Sequence, residues 1–214
     1  MENKGNYIFI ADEDTLSPNM VQISRKYKPF LKNILITNRT IKDRIKNISQ
    51  NILNDCPNQE IIFICVLRGA FRFCRDLLKR VEKDSYQSQC VHRLEFIRAR
   101  SYVNDVQEEV VIEGLDILDL KNKSVVIIED MVDKGKTLMK VREAIWKKEP
   151  SSLKICVLAY KRNVENVYVV PDYIGFSLPD EWIVGYNIDY NGFFRDMPHV
   201  AVLNDEGKVH FRSN

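Results

Sequence analysis

The chain has 214 residues, 45% hydrophobic and 29% charged, the balance of a globular protein with length enough for one domain and a real core. Its 32 basic and 30 acidic residues leave a formal charge of +2, so no broad basic face for nucleic acid is expected. No apolar run reaches membrane-spanning length and the opening Met-Glu-Asn-Lys-Gly-Asn lacks a secretory pattern, so a cytosolic protein that binds no membrane is expected.

The first clear element is a helix over about Arg39 to Asn54, where Ile41, Ile45, Ile48 and Ile52 recur at helical spacing and Asn38 stands as the cap. Residues 60–67 are continuously apolar and read as a central strand ending at Arg68-Gly69. Phe71, Cys74, Leu77 and Leu78 then stripe a second helix. His92 to Arg100 is a further strand, and Ser101 through Leu120 reads as a long loop with a short hairpin. A buried strand follows at Val125-Val126-Ile127-Ile128. Leu138, Val141, Ile145 and Trp146 mark a helix that Pro150 stops, and Leu153 to Tyr160 is another buried strand. From Pro171 onward the pattern is shorter strands and turns, closing on a hairpin-like Asn-Asp-Glu-Gly at 204–207. This alternation predicts an α/β fold, a doubly wound and mainly parallel sheet flanked by helices.

Five cysteines without Cys-x-x-Cys spacing read as core thiols, and three scattered histidines suggest neither a zinc cluster nor a Ser-His pair. The chemistry gathers instead at 125–137. Glu129 and Asp130 close a buried strand, where carboxylates accept hydrogen bonds from a diol. Asp133, Lys134, Gly135, Lys136 and Thr137 then lead into a helix, whose N-terminus suits a phosphate. A diol beside a phosphate describes ribose 5-phosphate. The Walker loop is excluded because Asp130 stands where it needs glycine, and the dinucleotide fingerprint because this loop has only Gly135. Arg68-Gly69, Glu129-Asp130 and Lys161 all fall at predicted carboxyl ends of strands, where open parallel sheets bind ligands.

The 125–137 run resembles the signature of type I phosphoribosyltransferases, which use phosphoribosyl diphosphate (PRPP). Phe96 to Tyr102, Lys161-Arg162, Pro179 to Tyr186, Asp189-Tyr190-Asn191 and Phe194-Arg195-Asp196 narrow the likeness to the hypoxanthine-guanine phosphoribosyltransferases. The match runs in order from about residue 40 to 211, while residues 1–36 match weakly. The resemblance implies a core over 37–170, with a small hood and purine-binding segments from 1–36 and 171–214. It implies transfer of ribose 5-phosphate from PRPP to hypoxanthine or guanine, giving IMP or GMP and pyrophosphate with Mg²⁺, by a homodimer or homotetramer.

Residue roles follow from the resemblance alone. Glu129 and Asp130 face the ribose hydroxyls and the metal, and residues 133–137 hold the 5-phosphate. Leu67, Arg68 and Gly69 form the pyrophosphate loop, which in the family often has a cis peptide after the leucine. Asp189 contacts magnesium and Arg195 binds pyrophosphate. Trp182 stacks on the purine, Lys161 donates to its 6-oxygen and the Ile183 backbone reads the opposite edge. Asp133 is the catalytic acid/base, and Ser101-Tyr102 lie on a closing loop. Lys134 stands where the family has a small hydroxyl residue, and Arg68 replaces the more usual lysine. These two departures keep an alternative open: a catalytically weak homologue that binds PRPP or nucleotide in a regulatory role.

Overall fold

The computed structural model describes residues 7–56, 60–87, 90–103, 108–162 and 168–213. Seven strands form the main sheet: β1 (Ile8–Phe9), β3 (Ile61–Leu67), β4 (His92–Val103), β5 (Glu108–Glu113), β6 (Ser124–Val132), β7 (Ser152–Lys161) and β8 (Tyr173–Leu178). Their spatial order is β1-β8-β7-β6-β3-β4-β5, and every neighbouring pair is parallel except the β4–β5 hairpin. Helices α1 (Asn38–Asp55), α2 (Phe71–Asp84) and α3 (Lys136–Trp146) flank it, giving the doubly wound arrangement. Among the described residues, no helix is long and apolar enough to cross a membrane.

The period-2 alternation of a strand explains the continuous apolar runs. Ile61, Phe63 and Cys65 of β3 pack toward α1 and α2, whereas Ile62, Ile64 and Val66 face the opposite core with Leu138, Val141 and Ile145 of α3. Strand β6 divides likewise, Val126 and Ile128 to one side and Val125 and Ile127 to the other. Both faces are covered, so neither set needs a polar alternate.

A second, antiparallel sheet has the order β2-β10-β9, with β2 (Leu31–Ile36), β9 (Ile183–Val184) and β10 (Val200–Leu203). It carries its own cluster around Tyr27, Ile34, Val184, Phe194 and Leu203. The last helix is α4 (Asp205–His210).

Several boundaries differ from those read in the sequence. Thr37, not Asn38, caps α1, its hydroxyl accepting from the Thr40 amide at 3.2 Å. Asn38 instead docks the helix start on the second sheet's approach, donating from its side chain to the Pro198 carbonyl at 3.1 Å. β4 extends through Val103 and pairs with β5, so Ser101 and Tyr102 lie in a ladder opposite Val110 and Glu109. α3 ends at Trp146, before Pro150, and Glu149 makes the turn at φ +54°. Asn204 is a helix cap, not a hairpin residue: its side-chain oxygen accepts from the Gly207 amide at 2.8 Å and starts α4.

Candidate active site

The topology reverses between β3 and β6, which lie side by side while their chain continuations run to opposite edges. Such a switch point opens a crevice beyond the carboxyl ends of the strands. Leu67 closes β3, and the Leu67–Arg68 peptide bond is cis. Gly69 has no room for a side chain: a Cβ there would lie 1.6 Å from Asp130 Oδ2. The loop after β3 is thus fitted against a carboxylate of β6.

Glu129 and Asp130 belong to β6 itself, which runs to Val132. The Asp130 amide donates to Glu129 Oε1 at 3.0 Å. Burial, then the neighbouring Asp130 charge, push the Glu129 carboxyl well above the ordinary carboxylate range. Burial raises Asp130 as well, opposed in part by the Arg195 guanidinium. Two desolvated carboxyls side by side are poised to accept hydrogen-bond donors or a cation.

Beyond β6 the chain turns through Gly135, at φ +82° and ψ 10°, into the N-terminus of α3. That left-handed position favours glycine. Glu129, Met131, Asp133, Lys134, Lys136 and Thr137 line a cavity of about 450 Å³ here. A partner segment unforeseen in the sequence braces the loop. The Tyr168 amide donates to the Lys134 carbonyl at 3.1 Å, and a Cβ on Gly135 would meet Val169 Cγ1 at 2.9 Å.

One strand over, Lys161 ends β7 and is 8% exposed. Its ammonium lies 3.4 Å from Asp180 Oδ1 and 3.7 Å from Asp133 Oδ2. Two residues after Asp180, Trp182 is 57% exposed, steadied edge-on by Tyr190 with ring centres 5.6 Å apart. Ile183, buried in β9, fixes this stretch by pairing with Val202. A buried cation and two carboxylates therefore meet beside the loop of residues 133–137, and the exposed Trp182 follows Asp180 by two residues.

The segment 185–195 folds back by an unusual backbone. Tyr186, Asn187, Asn191 and Phe194 all have positive φ, as do Gly185 and Gly192. Asp189 accepts the Gly192 amide at 2.6 Å and pairs with Arg195 at 2.6 Å. Arg195 also donates to the Asn187 carbonyl at 2.7 Å. The Asn187 side chain then donates to both Arg68 and Gly69 carbonyls, at 2.6 and 2.9 Å, across 119 and 118 positions of sequence. No spacing rule discloses that contact, and the φ of +83° that suits Asn at this position is visible only in the structure.

The structure thus brings Leu67, Arg68, Gly69, Glu129, Asp130, Asp189 and Arg195 to one crevice, with Lys161, Asp133, Trp182 and Ile183 adjoining. Ser101 and Tyr102 sit on the β4–β5 hairpin, and their side chains lie outside the described residues. Among the described residues, no group of three or more acidic, His or Cys side chains converges as a closed metal cage. Glu129, Asp130 and Asp189 are hard oxygen donors of the kind Mg²⁺ takes singly or in pairs, leaving room for substrate oxygens and water. The raised Glu129 and Asp130 carboxyls would be relieved by such a cation, so the residues present fit it.

A mainly parallel sheet with an acidic strand end, a glycine turn leading into a helix and two arginines at its switch point has the arrangement of a type I phosphoribosyltransferase. Residues 33–191 match the model of the phosphoribosyl transferase domain. Hypoxanthine-guanine phosphoribosyltransferase of Bos taurus is 34% identical over 207 residues, covering 94% of each chain. Hypoxanthine-guanine-xanthine phosphoribosyltransferase of Plasmodium falciparum is 35% identical over 220 residues, 99% of this chain and 94% of the relative. Phosphoribosyltransferase domain-containing protein 1 of Homo sapiens is 35% identical over 198 residues, 91% and 88%. The crystal structure of hypoxanthine-guanine phosphoribosyltransferase from Schistosoma mansoni in complex with IMP superposes with a TM-score of 0.81 at 30% identity, covering 97% and 100%. The chain belongs to the phosphoribosyltransferase family, in its hypoxanthine-guanine group.

Proposed function

We propose that this enzyme salvages 6-oxopurines, moving ribose 5-phosphate from PRPP to hypoxanthine or guanine and releasing pyrophosphate with IMP or GMP. The observation that carries the base choice is the buried Lys161 ammonium, set between Asp133 and Asp180, with the exposed Trp182 two residues after Asp180.

Each step has a group of this chain behind it. Glu129 and Asp130 accept from the ribose hydroxyls, and backbone amides of residues 133–137 with the α3 N-terminus hold the 5-phosphate. Trp182 stacks on the purine, and the Ile183 backbone reads its far edge. Lys161 donates to the 6-oxygen; a 6-amino group would set donor against donor, so adenine is rejected. Substitution at the anomeric carbon breaks its bond to the pyrophosphate oxygen and forms one to the purine nitrogen. Asp133 takes up the proton the purine loses at its imidazole edge. Arg195 and the loop at Leu67, Arg68 and Gly69 receive the departing pyrophosphate. Ser101 and Tyr102 on the β4–β5 hairpin close over the site and keep water from the cationic sugar. Mg²⁺ would be held by Asp189 or by the Glu129 and Asp130 pair, together with substrate oxygens, and would supply charge neutralisation to the diphosphate.

The enzyme works in the cytosol as a homodimer or homotetramer. α2 and the outer face of β4 carry exposed Phe71, Leu94 and Phe96 around a cavity of about 290 Å³. A monomer in sedimentation equilibrium at micromolar concentration would refute this assembly.

The activity is tested by incubating purified protein with PRPP, Mg²⁺ and each of hypoxanthine, guanine, xanthine and adenine. Nucleotide and pyrophosphate should appear in equal amounts with hypoxanthine or guanine, and neither with adenine. PRPP that raises the melting temperature without turnover would point to the regulatory homologue instead, through Lys134 and Arg68.

A further inference from the structure

We propose that Asn187 is a positioning residue which ties the pyrophosphate loop to Arg195 and Asp189, so that the two sides of the pyrophosphate site are set as one unit. The proposal rests on the reading that the loop after β3 and Arg195 receive pyrophosphate.

The loop carrying Arg68 and Gly69 follows β3, whereas Arg195 and Asp189 come from a segment more than 115 residues later. Nothing in the parallel sheet itself fixes one against the other. The Asn187 amide group supplies the bond: its two hydrogens reach the adjacent carbonyls of Arg68 and Gly69, at 2.6 and 2.9 Å. The main chain of the same residue is locked to Arg195 in both directions. The Asn187 amide donates to the Arg195 carbonyl at 3.1 Å, and the Arg195 guanidinium donates to the Asn187 carbonyl at 2.7 Å. Arg195 in turn holds Asp189 at 2.6 Å. A single residue thus touches both sides; Arg72 and Asp76 of α2 also reach the 186–197 segment, through the Met197 carbonyl and the Tyr186 hydroxyl, but the Asn187 side chain is the contact on the Arg68 and Gly69 carbonyls themselves.

The backbone restricts which residues can serve. φ is +83° at Asn187, a value Asn and Gly tolerate better than other residues. Gly would keep the turn and lose the clamp; Asp would keep the shape and set carboxylate oxygens against two carbonyl oxygens.

That pair of substitutions separates positioning from mere folding. With Asn187→Gly, the KM for PRPP and the inhibition constant of Mg-pyrophosphate should each rise about tenfold, from the loss of two neutral hydrogen bonds. The KM for hypoxanthine should stay within about twofold, since the purine groups lie on other elements. Asn187→Asp should weaken pyrophosphate more than Asn187→Gly does. Unchanged PRPP and pyrophosphate constants in both variants would overturn the proposal. So would constants for base and PRPP worsening together, as general loosening would produce. Calorimetry with Mg-pyrophosphate on the unsubstituted protein guards the premise: failure to bind it there would sink the pyrophosphate reading and the clamp with it, whereas tight binding equal in Asn187→Gly sinks the clamp alone.

Discussion

The tightest constraint in the site is steric and sits at Gly69. A methyl group there would overlap Asp130 Oδ2 at 1.6 Å, and the carboxylate would have to swing away from its place at the crevice. Gly69→Ala should therefore weaken PRPP through Asp130, by about ten- to a hundredfold if one bond to a charged acceptor is lost. A PRPP titration in which the variant matches the parent would show that Asp130 is free to move. Asp133 makes the opposite kind of demand, being half-exposed and 3.7 Å from Lys161. Asp133→Asn keeps shape and removes the proton acceptor, so kcat should fall roughly 10²- to 10⁴-fold while the PRPP KM changes little. Steady-state kinetics with both substrates varied decides it. The sequence showed these residues readily, because acidic groups closing an apolar run are conspicuous. It did not show Asn187, whose partners lie at Arg68 and Gly69.

Among elements, β6 ties stability to function most closely. Its carboxyl-terminal part carries Glu129 and Asp130, whose carboxyls burial raises above the ordinary range. A carboxyl that holds its proton more tightly folded than unfolded stabilises the fold at low pH, and that contribution is lost as pH rises above about 4 toward the raised value. Glu129→Gln should accordingly raise the melting temperature of the unliganded protein near neutrality and leave it nearly unchanged near pH 4. The same substitution should weaken PRPP, and in the parent PRPP affinity should fall as the pH is lowered, because a proton must leave before the ribose or a cation binds. Melting curves and PRPP titrations across pH check both signs. The strands themselves were legible as apolar runs, since both faces of β3, β6 and β7 are covered. Ends were less so. Thr37 and Asn204 cap helices, yet the same residue types start turns, and only tertiary context separates the two uses. The hairpin expected within 101–120 is present as the β4–β5 ladder, but its extent is hard to read because β5 lies at the sheet edge and lacks a buried apolar run.

Over the whole molecule, the proposed function divides the site between the switch point of β3 and β6, for the phosphoribosyl group, and the junction of the main sheet with the second sheet, for the purine. Lys161 arrives on β7, Asp133 on the loop after β6, and Asp180 and Trp182 on the chain entering β9. On the proposed function, base choice depends on how the two sheets meet, with Lys161 at the meeting point. The most direct test compares kcat/KM for hypoxanthine with that for adenine, in the parent and in Lys161→Ala, at saturating PRPP and Mg²⁺. A buried donor that reads the 6-oxygen should give the parent a preference on the order of 10⁴. Lys161→Ala should collapse that ratio by about a hundredfold or more, mainly by losing hypoxanthine. A ratio that does not move would contradict the account, leaving Lys161 as no more than a partner for Asp133 and Asp180.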